Sequence, residues 1–200
     1  RQSKSTSLPA QTILDSIAGA IANVSGVTRS KIYENDTSST DANGVPSHSI
    51  CAVVLGGSVS DIGNAIFKRK SPGVQTYGSQ PVTVYDSKGL SATINYSPLT
   101  LVPIYFAVTI KALPGYVSST GTALQSALSA FVNSLDIGED VYASQSAAVA
   151  SLIGQTIGQT FYITSFQLGT TPAPVGTGNL AIAFNAAASS ITSNIVLTVT

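Results

Sequence analysis

The sequence predicts an α+β fold: two small α/β-sandwich-like domains, each a mostly antiparallel sheet covered by two helices. Three observations predict it. Apolar residues recur at helical spacing in four segments, two in each half of the chain. Between them lie short runs that alternate apolar and polar residues or are apolar throughout, the patterns of half-buried and fully buried strands. Each half supplies three or four such strands for its two helices, enough to cover one face of a small sheet. The halves part near residues 97–101, giving a first domain at 1–98 with the order αββαββ and a second at 99–200 with the order βααβββ.

Residues 10–24 form the first helix, with Ile13, Leu14, Ile17, Ile21 and Val24 on one face, Pro9 near its start and Gly26 as its stop. A short strand follows at Lys31–Glu34, then a polar loop at 35–48 and an apolar strand at 49–55 that Gly56-Gly57 ends. Ser60-Asp61 offers an N-cap and a first-turn acid for a helix to about Lys70, with Ile62, Ala65 and Ile66 inward. Strands at 81–86 and 91–97 flank the turn Asp86-Ser87-Lys88-Gly89. In the second half a strand at 102–111 sets Val102, Ile104, Phe106, Val108 and Ile110 on one face, and Pro103 marks its beginning. A helix at 120–135 carries Leu124, Ala127, Leu128, Phe131, Val132 and Leu135 inward; a weaker one at 144–154 turns Val149, Leu152 and Ile153 inward. Strands near 161–168, 180–186 and 194–199 complete the chain, with a loop at Thr170–Gly178 between the first two.

Composition narrows the function. Only 9% of the 200 residues are charged, against about 25% in ordinary domains, while Ser and Thr number 29 and 21. Nine basic and nine acidic residues cancel, so the basic face of a general nucleic-acid binder is not expected. All nine basic residues lie in 1–111, leaving that part at +3 and the rest at −3. One Cys and one His exclude a disulfide framework and a multi-histidine metal centre. No apolar stretch reaches the 18–20 residues of a membrane helix. The first residue is Arg1 and no leader pattern follows it, so the chain reads as a piece of a longer protein. A hydroxyl-rich, ion-poor surface near zero net charge suits a subunit covered by its neighbours, or a secreted or surface protein with a Ser/Thr exterior.

No catalytic constellation emerges, so no enzyme activity and no cofactor are expected. His48 and Cys51 are three apart, which on a strand sends them to opposite faces. Gly56-Gly57-Ser58-Val59-Ser60 lacks the last glycine of a nucleophile elbow. Glu34, Asp36 and Asp41, with Asn35 and Asn43, make the densest acidic group, but their spacing does not fit a calcium loop. Asp136, Glu139 and Asp140 form a second group that reads as a loop and helix start. Lys68-Arg69-Lys70 at a helix C-terminus complements the helix dipole. The 35–48 loop is the informative feature, because most hairpin loops have about 2–5 residues and longer ones are commonly functional.

Several segments together resemble one family. Ile32-Tyr33-Glu34-Asn35-Asp36, the run from Thr40 to Ile50 (Thr-Asp-Ala-Asn-Gly-Val-Pro-Ser-His-Ser-Ile), and Ala65 to Gly73 followed by Thr76-Tyr77-Gly78 are similar to the C-terminal part of baseplate J-like proteins. Val102-Pro103-Ile104-Tyr105, Leu113-Pro114-Gly115-Tyr116 and Ile137-Gly138-Glu139-Asp140-Val141-Tyr142 extend the match in the same order, from about residue 10 to 145. The resemblance implies a structural subunit of a contractile phage or prophage-derived tail, in the baseplate wedge around the tail tube. Its partners would be further copies of itself, other wedge proteins, and tail-tube or sheath-initiating proteins. Its place would be the virion, and the host cytoplasm during assembly. Tyr33, Glu34, Asp36, Asp41, His48, Lys68, Arg69, Lys70, Tyr77 and Tyr142 are the candidate interface residues. The competing expectations are an adhesin or glycan-binding module, with a Tyr-rimmed pocket, and an enzyme built on His48 or on Asp136, Glu139 and Asp140.

Overall fold

The computed structural model describes residues 12–153 and 159–200. The chain has an α+β fold of mixed sheets. It divides into two compact units between Thr100 and Leu101.

The first unit opens with α1 (Ile13–Ala22). The Thr12 hydroxyl caps it, accepting from the Asp15 N–H at 3.1 Å and donating to Asp15 Oδ2 at 2.8 Å. The earlier part of the expected helix, with Pro9, lies outside the described residues. Five strands follow: β1 (Val27–Asn35), β2 (Ser49–Gly56), β3 (Gln75–Tyr77), β4 (Gln80–Tyr85) and β5 (Ser91–Pro98). Between β2 and β3 runs α2 (Val59–Phe67). This helix starts two residues before the expected Ser60 cap: Ser58 stands at the cap position, and its hydroxyl hydrogen-bonds the Ser60 hydroxyl at 2.9 Å. It ends before Lys68, so the basic run follows the helix instead of forming its last turn.

The sheet order is β1-β2-β5-β4, with β3 also on β2. The β1–β2 and β4–β5 pairs are antiparallel, whereas β2 runs parallel to both β3 and β5. The sheet is mostly antiparallel, as expected, in its two long ladders; the short contacts of β2 with β3 and β5 are parallel. α2 is a crossover that returns the chain to the same side of β2, which makes the pairing parallel. β3 escaped notice because three residues carry too little period. The apolar face of the sheet, with Ile50, Ala52, Val54, Val82, Val84 and Ile94, packs on Ile17, Ile21, Ile62 and Ile66 of the helices. Gly63 makes the approach close: a Cβ there would stand 2.7 Å from Val82 Cγ1.

The second unit contains β6 (Thr100–Pro103), β7 (Tyr105–Ala112), α3 (Ser118–Ser134), α4 (Ala143–Ile153), β8 (Phe161–Gly169), β9 (Ala186–Ser189) and β10 (Ile195–Val199). β7 is the middle strand of a three-stranded sheet, antiparallel to β8 and parallel to β10; β6 pairs with β9. The expected single strand at 102–111 is therefore two strands in two sheets. Pro103 ends the first of them, and Ile104 donates its N–H to the Ser189 carbonyl at 2.8 Å. No strand spans 180–186. Leu180 makes one bridge to Val141, and Asp140 Oδ1 accepts the Ile182 N–H at 2.8 Å, so a side chain takes the place of a ladder.

Ile104, Phe106, Val108 and Ile110 meet Leu124, Leu128 and Val132 of α3 in the second core. Full burial of such side chains stabilises by roughly 1.5–3 kcal/mol each. A polar stripe on α3 holds the C-terminal segment: Gln125 Nε2 donates to the Ile195 carbonyl at 2.8 Å. Ser129 Oγ and Asn133 Nδ2 both donate to the Ser190 carbonyl, at 2.8 and 2.7 Å, and Asn133 Oδ1 accepts the Ser190 N–H. α4 buries Ser146 and Ala150; of the expected apolar trio, Ile153 packs half-buried against the core, whereas Leu152 is 63% exposed. Small residues face the packing partner because they let the helix lie close.

Candidate functional site

The expected loop joins β1 and β2, which are neighbours, and its order comes from two side chains. Asn35, the last residue of β1, is buried. Its Nδ2 lies 2.8 Å from the Ser39 carbonyl, 2.7 Å from that of Val45 and 3.1 Å from that of Pro46. Its Oδ1 accepts from the Thr37 N–H and the Thr37 hydroxyl. A buried amide is costly without such partners, so it fixes the loop around itself.

The second organiser is Asp41. Its Oδ1 accepts the N–H groups of Asn43 and Val45 at 2.8 and 2.9 Å; its carbonyl accepts from Gly44 N–H and its own N–H donates to the Val45 carbonyl, both at 3.1 Å. The Asp86–Leu90 turn of the β4–β5 hairpin repeats every one of these bonds. Asp86 Oδ1 accepts from Lys88 and Leu90, Gly89 N–H donates to the Asp86 carbonyl, and Asp86 N–H donates to that of Leu90. Asp-Ala-Asn-Gly-Val and Asp-Ser-Lys-Gly-Leu are one turn used twice, with glycine at φ +79° in both. The two differ in the fifth residue: Val45 is fully buried, whereas Leu90 is 67% exposed.

The loop returns to β2 through His48, whose φ of 51° is rare for a residue with a Cβ. His48 is exposed and Cys51 is buried. Strand register sets Tyr33 opposite Cys51 on one side and Tyr77 opposite it on the other, so the three share a row across β1, β2 and β3. That row lies on the face away from α1 and α2, since Ile50 and Ala52 on either side of Cys51 face the helices. Cys51 Sγ is 3.6 Å from Ser97 Oγ. Burial pushes its thiol up; the Ser97 hydrogen bond opposes this, and the charge of Asp41 adds to it. The Lys31 ammonium sits 5.4 Å from the centre of the Tyr33 ring.

The structure therefore gathers Tyr33, Asp41 and Tyr77 around the loop and Cys51, with Gly44 against the Tyr77 hydroxyl. Glu34 and Asp36 are exposed beside it. The basic run belongs to the helix layer: Arg69 Nη1 donates to Ser16 Oγ of α1 at 3.5 Å, and Lys70 Nζ donates to the Val74 carbonyl at 3.0 Å, holding the turn before β3. Lys68 is exposed at the helix end. Tyr142 lies in the second unit at the start of α4, where its carbonyl accepts from the Ser146 N–H and hydroxyl.

Asp136, Glu139 and Asp140 hold backbone. Glu139 Oε2 accepts the Asp136 N–H, Asp136 Oδ1 that of Ile137, and Asp140 Oδ1 that of Ile182. Among the described residues, no three His, Cys, Asp or Glu side chains converge as metal ligands, and no helix is long and apolar enough to cross a membrane. Asn35 is the residue whose role the sequence reading missed. Its signal was an Asn two residues before the hydroxyl run Thr37-Ser38-Ser39-Thr40, the setting of an Asx turn. No protein-family model matches the chain, and comparison with curated proteins gives no match.

Proposed function

We propose that the chain is a structural subunit of a contractile-tail baseplate wedge. The observation that carries the reading is the 36–48 loop. The motif run from Thr40 to Ile50, part of the resemblance to baseplate J-like proteins, coincides with a hairpin extension tied by Asn35 and Asp41. Such a loop presents hydroxyls and amides in a fixed arrangement and loses little conformational freedom on docking. Low charge over the whole chain fits interfaces whose centres are depleted in ions. The loop, with Tyr33 and Tyr77 beside it, is the contact element toward neighbouring wedge components. Electron microscopy of the intact particle tests this. Density for the chain is expected in the baseplate with the loop against a neighbour; density elsewhere in the particle removes the reading.

A further inference from the structure

The sheet edges of this molecule are not treated alike. β1 bears Arg29, Lys31 and Glu34 and a register shift between Val27 and Arg29. β4 carries Pro81. The outer side of β8 is met by the following loop, where Leu168 N–H donates to the Gly176 carbonyl at 2.8 Å. Charge, proline, bulges and covering loops are the means by which proteins keep edges from pairing. β10 (Ile195–Val199) has no charge, no proline and no bulge, and among the described residues it pairs only with β7.

Thr200 fixes which backbone groups of β10 point where. Its N–H donates to the Ile110 carbonyl and its carbonyl accepts from Ala112 N–H, both at 2.9 Å. In a parallel ladder, alternate residues turn to the same neighbour, so Val196, Thr198 and Thr200 are committed to β7. Ile195, Leu197 and Val199 turn outward. Ile195 is satisfied within the unit, by Gln125 and by the Thr192 carbonyl. Leu197 and Val199 present their N–H and C=O groups on the open edge, where Val199 is 47% exposed.

We propose that this edge pairs with β10 of a second copy, antiparallel about a two-fold axis through Thr198. In that register Leu197 lies opposite Val199 of the second copy, and Val199 opposite Leu197. Residues that exchange both bonds in an antiparallel pair must both turn outward, and these do, so every outward group of Leu197 and Val199 finds a partner. Thr198 meets Thr198 of the second copy at the closer, non-hydrogen-bonded position, a favourable cross-strand pair. The strand is neutral, so self-pairing sets no like charges together, and the contact is isologous and closes. It stands independently of the baseplate reading.

Sedimentation equilibrium of the full chain tests the pairing. The wild type is expected to show a concentration-dependent monomer–dimer equilibrium. Thr198→Lys puts two like charges face to face and should weaken it at least tenfold, while circular dichroism and thermal midpoint stay near wild type. Val199→Pro removes an outward N–H without touching the β7 bonds and should do the same. If Val199→Pro fails to fold, Thr198→Lys alone decides. Thr198→Cys, treated with diamide, should form a disulfide-linked dimer far faster than the exposed control Ser126→Cys. A monomeric wild type, association unchanged in Thr198→Lys, or equal cross-linking of the two cysteine variants overturns the proposal.

Discussion

The Asn35 side-chain amide donates to the Val45 carbonyl at 2.7 Å, tying the end of β1 to a residue ten positions later. Asn35→Ala removes that bond, its bonds to two further carbonyls, and the acceptor for Thr37, leaving buried polar groups unpaired. A loss of about 2–3 kcal/mol is expected from the usual cost of orphaning such groups. Urea denaturation gives the total. Amide exchange should locate the first opening at residues 36–48; uniform exchange across the unit would argue against the tie.

The twin turns form an internal control. Asp41→Ala and Asp86→Ala each delete an acceptor of two N–H groups in the same geometry. The Asp86 change should cost about 1 kcal/mol, the scale of an exposed Asx cap. The Asp41 change should cost at least a further ~1 kcal/mol, because it also loosens the buried Val45. Paired denaturation curves check the difference; equal losses would mean that Val45 is held by something other than its turn.

Two glycines with positive φ separate conformational strain from collision. Gly89 (φ +79°) has open space where a Cβ would go, so Gly89→Ala should cost about 1–2 kcal/mol. At Gly78 (φ +152°) a Cβ would stand 2.1 Å from the Tyr96 carbonyl carbon, and backbone cannot move aside as a side chain can. Gly78→Ala should therefore exceed ~4 kcal/mol, the range reserved for a named structural conflict, and leave the first unit largely unfolded. Thermal melts of the two variants decide.

Alkaline pH should weaken the first unit. The unfolded Cys thiol ionises near 9.0, whereas the buried Cys51 thiol ionises higher. Above about pH 9 the unfolded chain thus releases a proton that the folded chain keeps, so stability falls as pH rises through this range. Buried Tyr96, also raised from its ordinary 10.0, acts in the same direction slightly higher. Urea midpoints at pH 7.5 and 9.5 measure the fall, which Cys51→Ala should reduce. Ellman's reagent should label Cys51 at pH 8 only after denaturant is added.

Asn133 and Ser190 exchange two hydrogen bonds between α3 and the segment leading to β10. Asn133→Ala should cost about 1–2 kcal/mol. Amide exchange should show β10 loosening before β7; protection retained throughout β10 would show that side-chain packing alone holds it.

The legible part of the fold was the part written in periods. Leu124, Leu128 and Val132 on α3, and the alternation from Ile104 to Ile110, fixed a helix on a strand by burial alone. Where small or polar residues do the packing, the pattern misled. Ser146 and Ala150 face inward on α4 while Leu152 does not, because close helix approach rewards size over hydropathy. Strand pairing was illegible for another reason: nothing local records that β2 accepts both β3 and β5, or that Asp140 substitutes for a strand at Ile182. At the candidate site the acids were visible and their purpose was not. Asp41 stood out only as one of an acidic group that does not fit a calcium loop and is a turn organiser, a role made plain by setting Asp-Ala-Asn-Gly-Val beside Asp-Ser-Lys-Gly-Leu.

The central position of β7 has a consequence for synthesis. As the polypeptide leaves the ribosome, Tyr105–Ala112 emerges well before β8 at Phe161 and longer still before β10 at Ile195. One flank of this apolar strand then waits unpaired until Gly169 is made, 57 residues after Ala112, and the other until Val199, 87 residues after it, an interval in which nascent chains on one polysome are vulnerable to cross-association. The helices α3 and α4, made directly after β7, are the elements that can shelter it during that delay.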